Sequence, residues 1–160
     1  MDFVDLLTLD RIVLDERVTS KKRLLERLAQ LLTEDGSPER ERAIFDSLCA
    51  RERLGSTALG HGVAIPHGRS AAVGTALGAF VRLAQPIDFQ ASDQQPVDLV
   101  FGLIVPEHFT DQHLLLLSQL AEMLSEPGFC ERLRRAPDRT AAMALMAERP
   151  APPRKAAAAG

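Results

Sequence analysis

The sequence predicts a single α/β domain in which a central mixed β-sheet is flanked by helices. Helix-periodic stretches near the start, two dense apolar runs in the middle and a leucine stripe after them carry that expectation. The 160 residues suit one domain with a short tail. The domain is placed at 1–148. The tail, 149–160, is rich in Pro and Ala and too poor in large apolar groups to offset its ordering entropy, so it is expected to be mobile.

After the short segment Leu9 to Leu14, Ser20 reads as an N-cap for a helix carrying Leu24, Leu28, Leu31 and Leu32 on one face. A second helix opens at Ser37-Pro38, a cap followed by a proline that needs no N–H there. It bears Ile44 and Leu48, places Arg51 and Arg53 in its last turn and stops at Gly55. Between Gly55 and Gly74 five glycines punctuate short apolar stretches, the texture of tight strands and turns. The runs Ala76 to Ala84 and Val97 to Val105, bounded by Pro86, Pro96 and Pro106, predict two strands, the second covered on both faces. Thr110-Asp111 opens a helix with Leu116, Leu117, Leu120 and Leu124 inward, and Pro127-Gly128 ends it. Shorter helices follow around Phe129 to Arg134 and Arg139 to Ala147.

Composition narrows the function classes. Hydrophobic residues make up 46% and charged residues 26%, ordinary globular values. With no Trp or Tyr and a net charge of -3, the chain lacks both stacking platforms and a general attraction to phosphate backbones, which argues against a nucleic-acid partner. No apolar run reaches the roughly 18 to 20 residues that span a bilayer, and Asp2 and Asp5 make a poor signal-peptide start, so a cytoplasmic protein without membrane insertion is expected. Cys49 and Cys130 match no redox or zinc spacing and read as reduced filler.

The chemistry concentrates at His67. It follows the apolar run Val63-Ala64-Ile65 and lies between Pro66, which restricts the backbone, and Gly68, which leaves the approach uncrowded. An imidazole of pKa about 6.5 is largely neutral at pH 7 and can accept a transferred group covalently. Phosphoryl transfer, which depends on positioning and charge stabilisation, is the natural use. His113 precedes Leu116, Leu117 and Leu120 by helical steps, so it shares their inward face. It also sits in a helix's first turn, where N–H groups favour an anion. Arg51 supplies a guanidinium able to grip phosphate oxygens, with Arg69 a second candidate of lower rank. His61 and His67 lack an H-E-x-x-H context, so no metal site is assigned, and the glycines fit no nucleotide-binding loop, so no cofactor is expected.

Arg51-Glu52-Arg53-Leu54-Gly55-Ser56-Thr57, followed by Gly60-x-Gly62-x-Ala64-Ile65-Pro66-His67-Gly68, resembles the active-site signature of the fructose/mannitol-type IIA family of the bacterial phosphotransferase system. The resemblance extends from Leu9 to about Ala147 and looks strongest to the nitrogen-regulatory branch. It implies that His67 accepts a phosphoryl group from a histidine phosphocarrier protein, that His113 hydrogen-bonds near the phosphorylated ring and that Arg51 belongs to the same pocket. The chain would then be an enzyme only in the limited sense of a phosphotransferase component with a phosphohistidine intermediate. Position 61 departs from the family pattern, where Asn or an acidic residue is common; here it is His61. Likeness to the regulatory branch implies control of protein targets such as potassium-transport or sensor-kinase proteins. A sugar-specific IIA component passing phosphate to a IIB domain, a non-catalytic interaction module and a metal-dependent hydrolase are the alternatives.

Overall fold

The first two helices start by the same device. In the computed structural model, which describes residues 2–148, the Ser20 hydroxyl accepts the Arg23 N–H at 3.2 Å and the Ser37 hydroxyl accepts the Arg40 N–H at 3.3 Å. These caps open α1 (Lys21–Leu31) and α2 (Pro38–Arg53). Pro38 is the first residue of α2, and Arg51 and Arg53 stand in its last turn, where cations oppose the negative end of the helix dipole.

The strands are β1 (Ile12–Glu16), β2 (Ala58–Gly60), β3 (Val63–Ala64), β4 (His67–Ser70), β5 (Leu77–Ile87) and β6 (Val97–Pro106). They form one six-stranded mixed sheet in the order β1-β5-β6-β3-β2, with β4 also paired to β6. The apolar β6 is central. It runs antiparallel to β5 on one side, while β3 and β4 lie in file along its other side, both parallel to it. Short 3-10 turns at Phe3–Leu6 and Leu9–Arg11 lead into β1. β5 continues past the expected stop at Pro86. Its pairing with β6 is interrupted between Arg82 and Ile87, so the missing proline N–H disturbs no regular ladder there.

Alternation along β6 splits the core into two layers. Leu99, Phe101, Leu103 and Val105 pack with α3 (Asp111–Leu124), α4 (Pro127–Arg135) and α5 (Arg139–Ala147), through Leu116, Leu120, Phe129, Leu133 and Met146. Val100 and Ile104 pack on the opposite face with Leu24 and Leu28 of α1 and Ile44 and Leu48 of α2. The result is the expected α/β sandwich, with β6 covered on both faces. Pro127-Gly128 has a double role: α3 stops at Leu124, and Pro127 is the first residue of α4. Cys49 is half-buried and Cys130 buried, and both are free thiols. No helix among the described residues is long and apolar enough to cross a membrane. The expected tail, 149–160, lies outside the described residues.

Candidate functional site

Pro66 decides where His67 sits. Because proline has no N–H, the ladder along β6 breaks after Ala64. The Pro66 carbonyl still accepts the Leu103 N–H at 3.0 Å, and pairing resumes with His67 opposite Leu103. Side chains of paired residues share a face. His67 therefore points with Leu103 toward α3, and Gly68 points with Ile104 toward α2.

His67 is half-buried, and its Nδ1 lies 2.8 Å from the Ile65 carbonyl oxygen. A carbonyl only accepts, so Nδ1 carries the hydrogen, and in the neutral ring Nε2 keeps the lone pair. Burial lowers the pKa of His67 from the ordinary imidazole value. The Ile65 hydrogen bond and Glu52 oppose that shift, and the Arg51 cation adds to it. At pH 7 the ring is neutral, with Nε2 its nucleophilic atom.

His113 is the third residue of α3 and only 8% exposed. Its ring meets that of His67 nearly edge-on, with centroids 5.3 Å apart and planes at 75°. Burial, then the charges of His67 and Arg69, push its pKa down to about 4. Its Nε2 is buried and has no hydrogen-bond partner among the described residues, a situation that ordinarily costs on the order of 1–3 kcal/mol. Thr110 makes no side-chain cap, so the first-turn N–H groups of α3 keep their partial positive charge.

Arg51 lines the same open cleft as His67, together with Ser47, Leu54, Arg69 and Glu107. Its Nη1 donates to the Gly55 carbonyl at 2.8 Å, which ties the side chain back across the end of α2. Two guanidinium groups against one carboxylate make this cleft positive, although the chain is negative. The structure thus brings His67, His113, Arg51 and Arg69 together. It places His61 elsewhere, exposed in the β2–β3 turn with φ 57°, its N–H donating to Asp93 at 2.9 Å. The arrangement can hold an anion over a neutral imidazole.

Two features of the site escape sequence reasoning. One is a set of exposed leucines. Leu54, 84% exposed, lines the cleft, Leu59 lines a second hollow beside His67, and Leu114, 67% exposed, follows His113. The other is a partly buried ionic network behind the histidine. Glu52 accepts from the Thr57 backbone N–H at 3.3 Å and from the Thr57 hydroxyl, and pairs with Lys21 Nζ at 2.7 Å. Glu52 and Thr57 were visible only as letters of a motif, and Lys21 lies 31 positions from its carboxylate, so no local spacing signalled the contact.

The helix-flanked mixed sheet is the fold of a IIA domain of known structure. Residues 5–149 match the family described as the phosphoenolpyruvate-dependent sugar phosphotransferase system EIIA 2, and the chain belongs to that family. Within it the chain resembles nitrogen regulatory proteins. It is 41% identical over 151 residues to the nitrogen regulatory protein of Bradyrhizobium diazoefficiens, covering 94% of this chain and 98% of the relative. The crystal structure of nitrogen regulatory protein IIA-Ntr from Neisseria meningitidis aligns with a TM-score of 0.85 at 45% identity, covering 89% of this chain and 97% of that one. The fructose-specific EIIA component of Haloferax volcanii is 34% identical over 151 residues, covering 92% and 98%.

Proposed function

We propose that this protein is a regulatory phosphocarrier: His67 Nε2 takes a phosphoryl group from a histidine phosphocarrier protein, and the phosphorylation state controls binding to protein targets. The observation that carries the proposal is the Ile65 carbonyl on Nδ1, which leaves Nε2 as the ring's nucleophile within the His113 and Arg51 surroundings. In the transfer, the Nε2 lone pair forms a bond to phosphorus while the donor's P–N bond breaks, and the donor imidazole departs with that electron pair. The Nδ1–H bond to Ile65 stabilises the positive charge that develops on the acceptor ring. Arg51 and a neutral His113 bearing its hydrogen on Nε2 donate to the phosphoryl oxygens, which gives the orphaned His113 nitrogen its partner. Added to a half-buried ring with exposed leucines around it, the dianion changes both charge and desolvation at the binding face.

Incubation with phosphoenolpyruvate, the general phosphotransferase enzyme and its carrier should add one acid-labile phosphoryl group, mapped by mass spectrometry to His67. Label retained after His67→Ala would reject the acceptor assignment, and target binding indifferent to His67→Ala and His67→Asp would point to a non-catalytic interaction module. The fructose-specific relative supports a second reading, in which the phosphoryl group passes to a IIB domain. Rapid loss of label to an added IIB domain, with no change in target binding, would favour that reading over regulation.

A further inference from the structure

We propose that Glu52 is a positioning residue for the His67 imidazole, acting through Thr57 and the Ile65 backbone, with Lys21 as its partly buried counter-ion. The inference deepens the reading of His67 as phosphoacceptor and rests on it.

The connection is continuous. The Glu52 side chain is 6% exposed and that of Lys21 19%, and their 2.7 Å contact lies beside the Phe89 ring, whose centroid is 4.6 Å from Lys21 Nζ. Glu52 holds buried Thr57 by both its N–H and its hydroxyl. The Thr57 carbonyl accepts the Ile65 N–H at 3.1 Å, and the Ile65 carbonyl accepts His67 Nδ1–H at 2.8 Å. The Ile65 backbone, whose carbonyl orients the imidazole, is therefore anchored at its N–H by the segment Glu52 grips. Ser56 adds a second tether by donating its hydroxyl to the Phe89 carbonyl at 2.6 Å.

A buried ion pair is a poor way to gain stability, because desolvation offsets much of the attraction and apolar packing often does as well. Its distinctive contribution is direction. A neutral imidazole in water populates both tautomers, and the acceptor role needs the one with hydrogen on Nδ1. Fixing the Ile65 carbonyl selects that tautomer before any donor arrives. A loosened segment leaves His67 a mixture, of which only part can attack.

The test reads the tautomer directly, by nitrogen-15 NMR of the histidine-labelled full chain at neutral pH, alongside the phosphorylation rate. The wild-type ring should show hydrogen on Nδ1 alone. Glu52→Gln and Thr57→Val should give averaged His67 nitrogen shifts and roughly tenfold slower phosphorylation, and Thr57→Ser, which restores the hydroxyl, should recover both. Cooperative thermal unfolding identifies the variants that remain folded, and should Glu52→Gln not fold, the Val and Ser pair at 57 carries the comparison. Folded variants whose His67 shifts match the wild type would overturn the proposal. A tautomer response in a protein that takes no phosphate on His67 would support the positioning role and reject the acceptor reading instead.

Discussion

Burial discourages protonation of both imidazoles of the edge-on pair, with the Arg51 cation adding to the effect at His67 and the charges of His67 and Arg69 adding to it at His113. The consequence can be read in stability. His113 has a folded pKa of about 4 against an ordinary 6.5, so between those values the unfolded chain binds more protons than the folded one. Stability is then fully present above about pH 6.5 and is lost as pH falls toward 4, with His67 acting in the same direction. At about 1.4 kcal/mol per pKa unit, His113 contributes on the order of 3–4 kcal/mol to that fall. Chemical denaturation across this range should show a shallower pH slope for His113→Asn than for the wild type; equal slopes would mean that the ring is not held neutral. In the proposed transfer the same variant takes away the His113 Nε2–H that would meet the phosphoryl group, and it should slow phosphorylation by about 10²-fold.

At the scale of elements, the site depends on how closely α2 approaches β4. A Cβ placed on Gly68 would meet the Ser47 backbone carbon, its carbonyl oxygen and its Cβ, all at 3.1 Å, so the helix that carries Arg51 rests directly on this glycine. Gly68→Ala should cost about 1–3 kcal/mol in denaturant unfolding, the usual range for overpacking, and should slow phosphorylation as Arg51 is pushed from the cleft. Full stability and rate in that variant would show that α2 yields without cost. This contact also marks where the sequence stopped being informative. Ser20, Ser37-Pro38 and the leucine spacings announced the helices because caps and 3.6-residue periodicity are local signals. The unbroken apolar character of 97–105 announced a strand covered on both faces. Strands of two and four residues, β3 and β4, hold too little periodicity to be recognised, and their placement in file along β6 depends on long-range pairing that no window contains. The site divides in the same way. His67, His113 and Arg51 stand out by residue type, whereas the Lys21, Glu52 and Thr57 network consists of ordinary residues joined across the fold.

At the scale of the whole molecule, the proposed transfer from a protein donor requires a docking face around His67. A chain of net charge -3 gathers Arg51 and Arg69 beside His67, opposed in the cleft by Glu107, with Leu54 and Leu59 in the hollows beside His67 and Leu114 exposed next in sequence to His113. Large apolar side chains that are 84% and 67% exposed contribute little to the core, so Leu54→Gln and Leu114→Gln should leave the unfolding free energy within about 0.5 kcal/mol of wild type. Under the proposed function they desolvate against the donor protein, where the minority of interface side chains that act as anchors are worth on the order of 1–2 kcal/mol each. Each substitution should therefore raise the KM for the phosphorylated carrier protein by roughly tenfold. Chemical phosphorylation of His67 by phosphoramidate needs no docking face and should proceed at the wild-type rate in both variants. Equal losses with the protein donor and with phosphoramidate would place these leucines in the reacting pocket and not on a recognition surface; no loss with either would mean that the donor docks elsewhere.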